Sequence, residues 1–300
     1  MMLAVSATVW ETIERHTALL AERGVESPRL QSELLLAAAL RVPRLNLYLD
    51  TNKPILHDVL VEMEESTRRR SNREPFQQIV GSTSFCGIEI AVRRGVFIPR
   101  PETELLAERA LEVLAQPNRF EVKPSRVLDF GTGTGCIAVA LAAKNAEIEL
   151  VALDKSPAAL DLARENAAQH RLAHRIQFLL ADRLAVVPAG ILFDLVVSNP
   201  PYIPTAEIQT LAPEVRDFDP FDALNGGADG LDTYRMLADS LPAHLAPNGC
   251  WLAEFGDGQS DSLPDLLRSR GWRIECIWPD YSGRLRIFKA RLATAAQTHG

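Results

Sequence analysis

Few of the features that would settle a simple assignment are present in this chain. Its four cysteines, Cys86, Cys136, Cys250 and Cys276, lie far apart with no C-x-x-C pair, which excludes a zinc ribbon and a disulfide framework and suits reduced thiols in a cytoplasmic setting. No apolar run reaches the length of a membrane span, and the start, M-M-L-A-V-S-A-T-V-W-E-T, lacks the basic flank and apolar core of a secretory leader. There is no G-x-S-x-G elbow, no H-E-x-x-H, and no Lys-Ser/Thr pair after a glycine turn to make a phosphate loop. His170 and His174 have helical ligand spacing but straddle a helix end with no third ligand, so they read as surface histidines and no metal is expected. Nor is there a surplus of positive charge. At a net −7 the chain is not built mainly to grip phosphate backbones.

What remains is an ordinary globular composition, 47% hydrophobic and 24% charged over 300 residues, enough for one large core and a smaller unit. Its focus is Phe193 to Tyr202, F-D-L-V-V-S-N-P-P-Y. The apolar run reads as a buried parallel strand, and two prolines stop it by removing ladder donors and fixing φ. Asn199 then stands at a strand's carboxyl end, the edge where open α/β sheets bind ligands. The Asn199 side-chain carbonyl and the Pro200 carbonyl are acceptors that can converge on one planar NH₂ group, and Tyr202 adds an aromatic face. The set suits methylation of a weakly nucleophilic amide or amino nitrogen.

The rest of the chain supplies a frame. Residues 1–73 predict short helices, with Ser6 and Ser27-Pro28 as helix starts and a third helix beginning near Pro54. Arg68, Arg69, Arg70 and Arg73 read as a solvated helix end, or else a docking patch. Residues 74–98 turn to period two, Phe76, Ile79 and Val80 and then Phe85, Ile88, Ile90 and Val92, and predict a β-hairpin linker. A proline-started helix follows, in which Glu102 and Glu104 complement the dipole or stand at a cofactor's lip.

From residue 99 to about 292 strands and helices alternate, predicting a doubly wound, mostly parallel sheet. Val127 to Phe130 leads into the turn Gly131-Thr132-Gly133-Thr134-Gly135, where glycines permit positive φ and close approach of a ligand to a helix N-terminus. The next strand ends in Asp154, 19 residues past Gly135 and placed to accept from ribose hydroxyls. A third strand ends at Ala181-Asp182-Arg183. Residues 293–300 form a tail.

Together, L-D-F-G-T-G-T-G, A-L-D-K, A-D and V-V-S-N-P-P-Y resemble a class I methyltransferase using S-adenosylmethionine. Within that class, F-I-P-R-P-E-T-E-L-L, the helical N-terminal domain and R-E-P-F-Q-Q-I-V-G resemble the release factor glutamine methyltransferases. The resemblance implies a seven-stranded sheet and methylation of the amide nitrogen of the Gly-Gly-Gln glutamine in peptide chain release factors. The thiols, the acidic charge and the lack of a long apolar run lead us to expect a cytoplasmic, monomeric enzyme with no stable nucleic acid or membrane partner. Gly131, Thr132, Gly133, Thr134 and Gly135 would cradle the methionine part of the cofactor, Asp154 the ribose, and Asp182 and Arg183 would flank the adenine. Arg183 stands where the family often has an aromatic residue. Asn199, also at the cofactor, would hold the substrate NH₂ with Pro200, beside Pro201 and Tyr202. The alternatives are an N6-adenine methyltransferase on DNA or RNA, and a cofactor-binding module without catalysis.

Overall fold

The computed structural model describes residues 7–116 and 124–293; the Ser6 cap and most of the C-terminal tail lie outside them. Two compact units result, one from the first 82 residues together with Ala212–Phe218, the other from Thr83–Leu211 and Asp219 onward.

The first unit is helical: α1 (Val9–Glu22), α2 (Pro28–Leu40), α3 (His57–Ser71) and the short α4 (Phe76–Val80). Thr8 starts α1 with a capping box, its hydroxyl accepting from the Glu11 N–H while the Glu11 carboxylate accepts from the Thr8 N–H. Pro28 begins α2 as expected, but Ser27 is left-handed and its side chain caps nothing. Ile13, Leu20, Leu35, Leu36 and Met63 meet in this unit's core. The arginines that end α3 are not simply solvated. Arg70 is buried, and with Arg73 it donates to Glu214, while Arg69 donates to Glu74. Only Arg68 makes an exposed pair, with Glu65 three residues back. The period-two reading also began too early: Phe76–Val80 is one helical turn closed by Gly81 at φ +85. The hairpin is confined to β1 (Ser82–Phe85) and β2 (Ile88–Ala91), joined by Cys86 (φ +52) and Gly87 (φ +78), both left-handed as a tight hairpin turn requires.

In the second unit follow α5 (Pro101–Leu114), β3 (Ser125–Phe130), α6 (Cys136–Lys144), β4 (Ile148–Asp154), α7 (Pro157–Gln169), β5 (Ile176–Leu180) and β6 (Phe193–Ser198). After a long connection come α8 (Asp232–Ser240), β7 (Leu245–Glu254), α9 (Ser262–Ser269), β8 (Trp272–Pro279) and β9 (Leu285–Leu292). The seven-stranded sheet has the order β5-β4-β3-β6-β7-β9-β8. Its first five strands are parallel, and β9 runs antiparallel to both β7 and β8. Alternate strand residues face opposite layers: Val127, Leu150 and Leu195 join α5 and α6, whereas Leu128, Val196 and Trp251 join α8 and α9. Trp251 anchors the second layer, 5.0 Å from the Phe288 ring and 5.4 Å from that of Trp272. Among the described residues no helix is long and apolar enough to cross a membrane.

The chain climbs β3, β4 and β5 to one side, then returns to lay β6 and β7 on the other. The switch point therefore lies between β3 and β6. Gly135 (φ +78) ends the turn after β3, and a Cβ there would meet the Ala163 Cβ of α7 at 2.9 Å. Gly135→Ala combines left-handed strain with this clash and is expected to destabilise the fold by about 1 to 3 kcal/mol. An unchanged urea midpoint would contradict that packing.

Candidate functional site

β3 and β6 end in register, with Phe130 paired to Ser198, so the glycine turn and Asn199 leave the sheet side by side. Above them opens a cleft of about 580 Å³, lined by Gly131 to Thr134, Asp154, Ser156, Asp182, Asn199 and Pro201, with Val96, Phe97 and Pro99 as an apolar wall.

The glycine turn is held open by its neighbours. Gly131 and Gly133 have positive φ, and a Cβ on either would meet no atom within 4 Å, so the peptide itself forms the cleft surface. Asp154 Oδ2 accepts from the Gly133 N–H at 2.8 Å and Oδ1 from the Ser156 N–H at 2.9 Å. Asp154 thus ties the turn as well as facing the cleft, and each oxygen keeps a further lone pair for a hydroxyl. Under the turn, Asp129 is fully buried; its Oδ2 accepts from the Thr132 hydroxyl at 2.6 Å, while Oδ1 has no hydrogen bond of ordinary geometry. Burial pushes this carboxyl up to about 7. A negative or shared-proton group beneath a turn that would receive the ammonium-bearing end of an amino acid fits the cofactor, as does a volume suited to a nucleoside joined to an amino acid.

Asn199 is fixed from behind. Its Nδ2 donates to Thr103 Oγ1 at 3.0 Å, and Thr103 donates to Glu254 Oε2 at 2.8 Å. The Tyr202 hydroxyl donates to Glu254 Oε1 at 3.1 Å, and that of Tyr234 to the Glu254 carbonyl at 2.6 Å. Gln259 completes the staple, donating to the Tyr202 carbonyl at 3.0 Å and accepting from the Gly256 N–H at 2.9 Å. Burial raises both Glu254 and Tyr202, so Tyr202 stays a neutral donor.

Not every expected residue reaches the cleft. Asp182 lines it, but Arg183 is exposed and does not: in extended backbone (φ −144, ψ 164) neighbouring side chains leave on opposite sides. Pro200 is buried, and the Tyr202 side chain packs against the α8–α9 layer with its hydroxyl on Glu254. Glu102 and Glu104 do not line the cleft, whereas Thr103 between them does. Thr103, Glu254 and Asp129 are site residues that motif reading passed over. A carboxylate inside an otherwise apolar strand, as in V-L-D-F and W-L-A-E-F, is the signal that was available for two of them. On the far rim, Phe221 and Asp222 join the lining, and Asp222 pairs with Lys155 at 2.9 Å.

Asp129 gives a pH test. Its folded value near 7 lies above the ordinary 3.8, so the fold binds its proton more tightly than the unfolded chain does. Stability from this group is full below pH 3.8 and is lost as pH rises toward 7. Asp129→Asn should remove that decline, gaining on the wild type progressively across the window; parallel urea midpoints at every pH would refute it.

Comparisons with known proteins place the chain in a family and a fold. Residues 103–214 match the family described as Methyltransferase small domain, and residues 11–81 the PrmC N-terminal domain. The release factor glutamine methyltransferase of Geobacter sulfurreducens is 40% identical over 287 residues, 95% of this chain and 97% of that protein. The protein of the same name from Cereibacter sphaeroides is 41% identical over 276 residues, 92% of this chain and 95% of its own. A solved T. thermophilus 16S rRNA N2 G1207 methyltransferase, in complex with AdoMet and guanosine, shares the fold with a TM-score of 0.50 at 20% identity, covering 70% of this chain and 49% of that one. With identity of this level along nearly its whole length, the chain belongs to the release factor glutamine methyltransferases, S-adenosylmethionine-dependent enzymes of the class I fold.

Proposed function

We propose that the protein methylates the side-chain amide nitrogen of the glutamine in the Gly-Gly-Gln motif of peptide chain release factors. The reading rests on one observation above all: Asn199, its Nδ2 committed to Thr103, lines the same cleft as the glycine turn. Its Oδ1 therefore serves the cleft as an acceptor for an N–H. When bound, S-adenosylmethionine supplies a methyl group activated on a sulfonium. Gly131 to Thr134 would hold its amino acid part, Asp154 its ribose, and Asp182 would stand at the base.

Orientation is the chain's main contribution. An amide nitrogen is a poor nucleophile because its lone pair is conjugated with the carbonyl. Held on one N–H by Asn199 Oδ1, it presents one face to the methyl. That hydrogen bond strengthens as the nitrogen loses conjugation and becomes more positive, so it stabilises the transition state more than the ground state. The apolar wall of Val96, Phe97 and Pro99 excludes water that would compete for the same acceptors. Placement of this kind lowers a barrier by several kcal/mol, up to roughly 7 to 11, and the methylated nitrogen, acidic once its lone pair is used, passes its surplus proton to solvent, so that no strong base is needed. A net charge of −7 favours a protein acceptor over a nucleic acid, and we take the enzyme to work as a monomer in the cytoplasm.

Mass spectrometry tests the acceptor. Incubated with S-adenosylmethionine, an unmethylated release factor should gain one methyl mapped to the Gly-Gly-Gln glutamine, and a factor carrying alanine there should gain none. A methyl elsewhere, or none on either factor while the cofactor binds, would overturn the assignment.

A further inference from the structure

We propose that Glu254, acting through Thr103, is the positioning group that sets the polarity of the site: it fixes which end of the Asn199 amide faces the cleft. The inference rests on the acceptor role given to Asn199 above. It concerns how that role is enforced, and it brings in two residues to which the sequence alone gave no role, Thr103 within F-I-P-R-P-E-T-E-L-L and Glu254.

Hydrogen counting decides the orientation of Asn199. Asparagine offers an oxygen and an NH₂ of nearly equal size, and nothing in the shape of a cleft tells them apart. A hydroxyl has a single hydrogen to give, and an ionised carboxylate can only accept. Glu254 is 2% exposed and does not line the cleft, so water does not substitute for a missing partner on its carboxylate, while Thr103, 3% exposed, borders the cleft. Glu254 Oε2 takes the Thr103 hydrogen at 2.8 Å, and Oε1 takes that of Tyr202 at 3.1 Å. With its hydrogen committed, Thr103 Oγ1 can only accept from Asn199, and the 3.0 Å contact must be to Nδ2. A flipped Asn199 would set two acceptors against each other, or draw the Thr103 hydrogen away and leave a buried carboxylate oxygen bare. Oδ1 is thereby turned to the cleft, which then selects a hydrogen-bond donor such as an amide N–H over an acceptor-only carboxylate.

Burial holds Glu254 above the ordinary carboxylate range, and what fixes its part in the relay is a hydroxyl donor on each of its oxygens. Burial and Glu102 favour its protonated form; the hydroxyls of Thr103 and Tyr202 and the guanidinium of Arg286 favour the ionised one. Arg286 is itself anchored, donating to the Phe255 carbonyl at 3.4 Å and pairing with Asp280 at 3.5 Å. The relay is also rigid. Thr103 sits in the first turn of α5, which begins at Pro101, and Glu254 is the last residue of β7. Because it acts through a strand end and a helix start rather than through a loop, the relay restricts Asn199 to one orientation.

The test uses Thr103→Val, which keeps the shape and removes the hydroxyl, and Thr103→Ser, which restores the hydroxyl without the methyl. In the full-length protein with isotope-labelled asparagine, the Asn199 side-chain amide signal is identified by its loss in Asn199→Ala. It should show slowed exchange with water in the wild type and in Thr103→Ser, and fast exchange in Thr103→Val. With release factor as acceptor, Thr103→Val should lose about 10- to 100-fold in kcat while cofactor affinity by calorimetry changes less than about twofold, and Thr103→Ser should recover most of the loss. Slow exchange retained in Thr103→Val, or a serine variant no better than the valine one, overturns the proposal. A wild type that shows the exchange pattern yet methylates no release factor sustains the relay and refutes the acceptor instead.

Discussion

The register of β3 against β6 is the constraint on which the site depends. Because Phe130 pairs with Ser198, the glycine turn and the Asn199 turn emerge on adjacent strands, roughly 5 Å apart at the sheet edge. A slip of one residue would reverse every side chain on β6, placing Val196 and Val197 in the wrong layers and turning Asn199 away from the cleft. The burial of β6 between two helical layers thus enforces the register, and the register enforces the chemistry. Pro200 and Pro201 then end the strand, so that Asn199 stands at the cleft instead of continuing the ladder.

Around that constraint the protein places carboxylates where they are hard to keep. Asp129 lies under the glycine turn and Glu254 behind the Asn199 turn, both almost entirely removed from water. Asp129 has one hydroxyl donor and one oxygen without an ordinary partner, and its carboxyl is pushed up to about 7. Glu254 has a donor on each oxygen as well as the Arg286 charge nearby. The difference matches their places. The first sits where a cation would help neutralise it, and the second works inside the protein to hold other side chains in one orientation. Strain of this sort is retained at functional sites and offset by the aromatic and aliphatic core packed against the rest of the sheet.

Much of this was legible in the sequence, and for identifiable reasons. Buried parallel strands are apolar runs closed by glycine, proline or aspartate, so β3, β4, β5, β6 and β7 could all be found from Val127, Leu150, Ile176, Phe193 and Cys250 onward. The sheet-edge turns announced themselves through the glycines and the paired prolines. Shorter-range signals failed where two periods overlap: F-Q-Q-I-V satisfies a three- to four-residue spacing as well as a partial alternation, and Gly81 decided for one helical turn. Arg70 and Arg73 looked solvated because their partner, Glu214, is more than a hundred residues away. Thr103 and Glu254, 151 residues apart, escaped for the same reason. Local pattern shows where a residue stands along an element; it does not show which distant side chain the fold will bring to it.

The central claim is that Asn199 orients an acceptor nitrogen and contributes little to holding the cofactor. The most direct measurement is the single-turnover methyl-transfer rate of Asn199→Ala at saturating S-adenosylmethionine, paired with the cofactor's dissociation constant for the same variant. The account predicts a rate lower by about 100-fold or more with the dissociation constant nearly unchanged. A parallel loss in both, or a rate near that of the wild type, would contradict it.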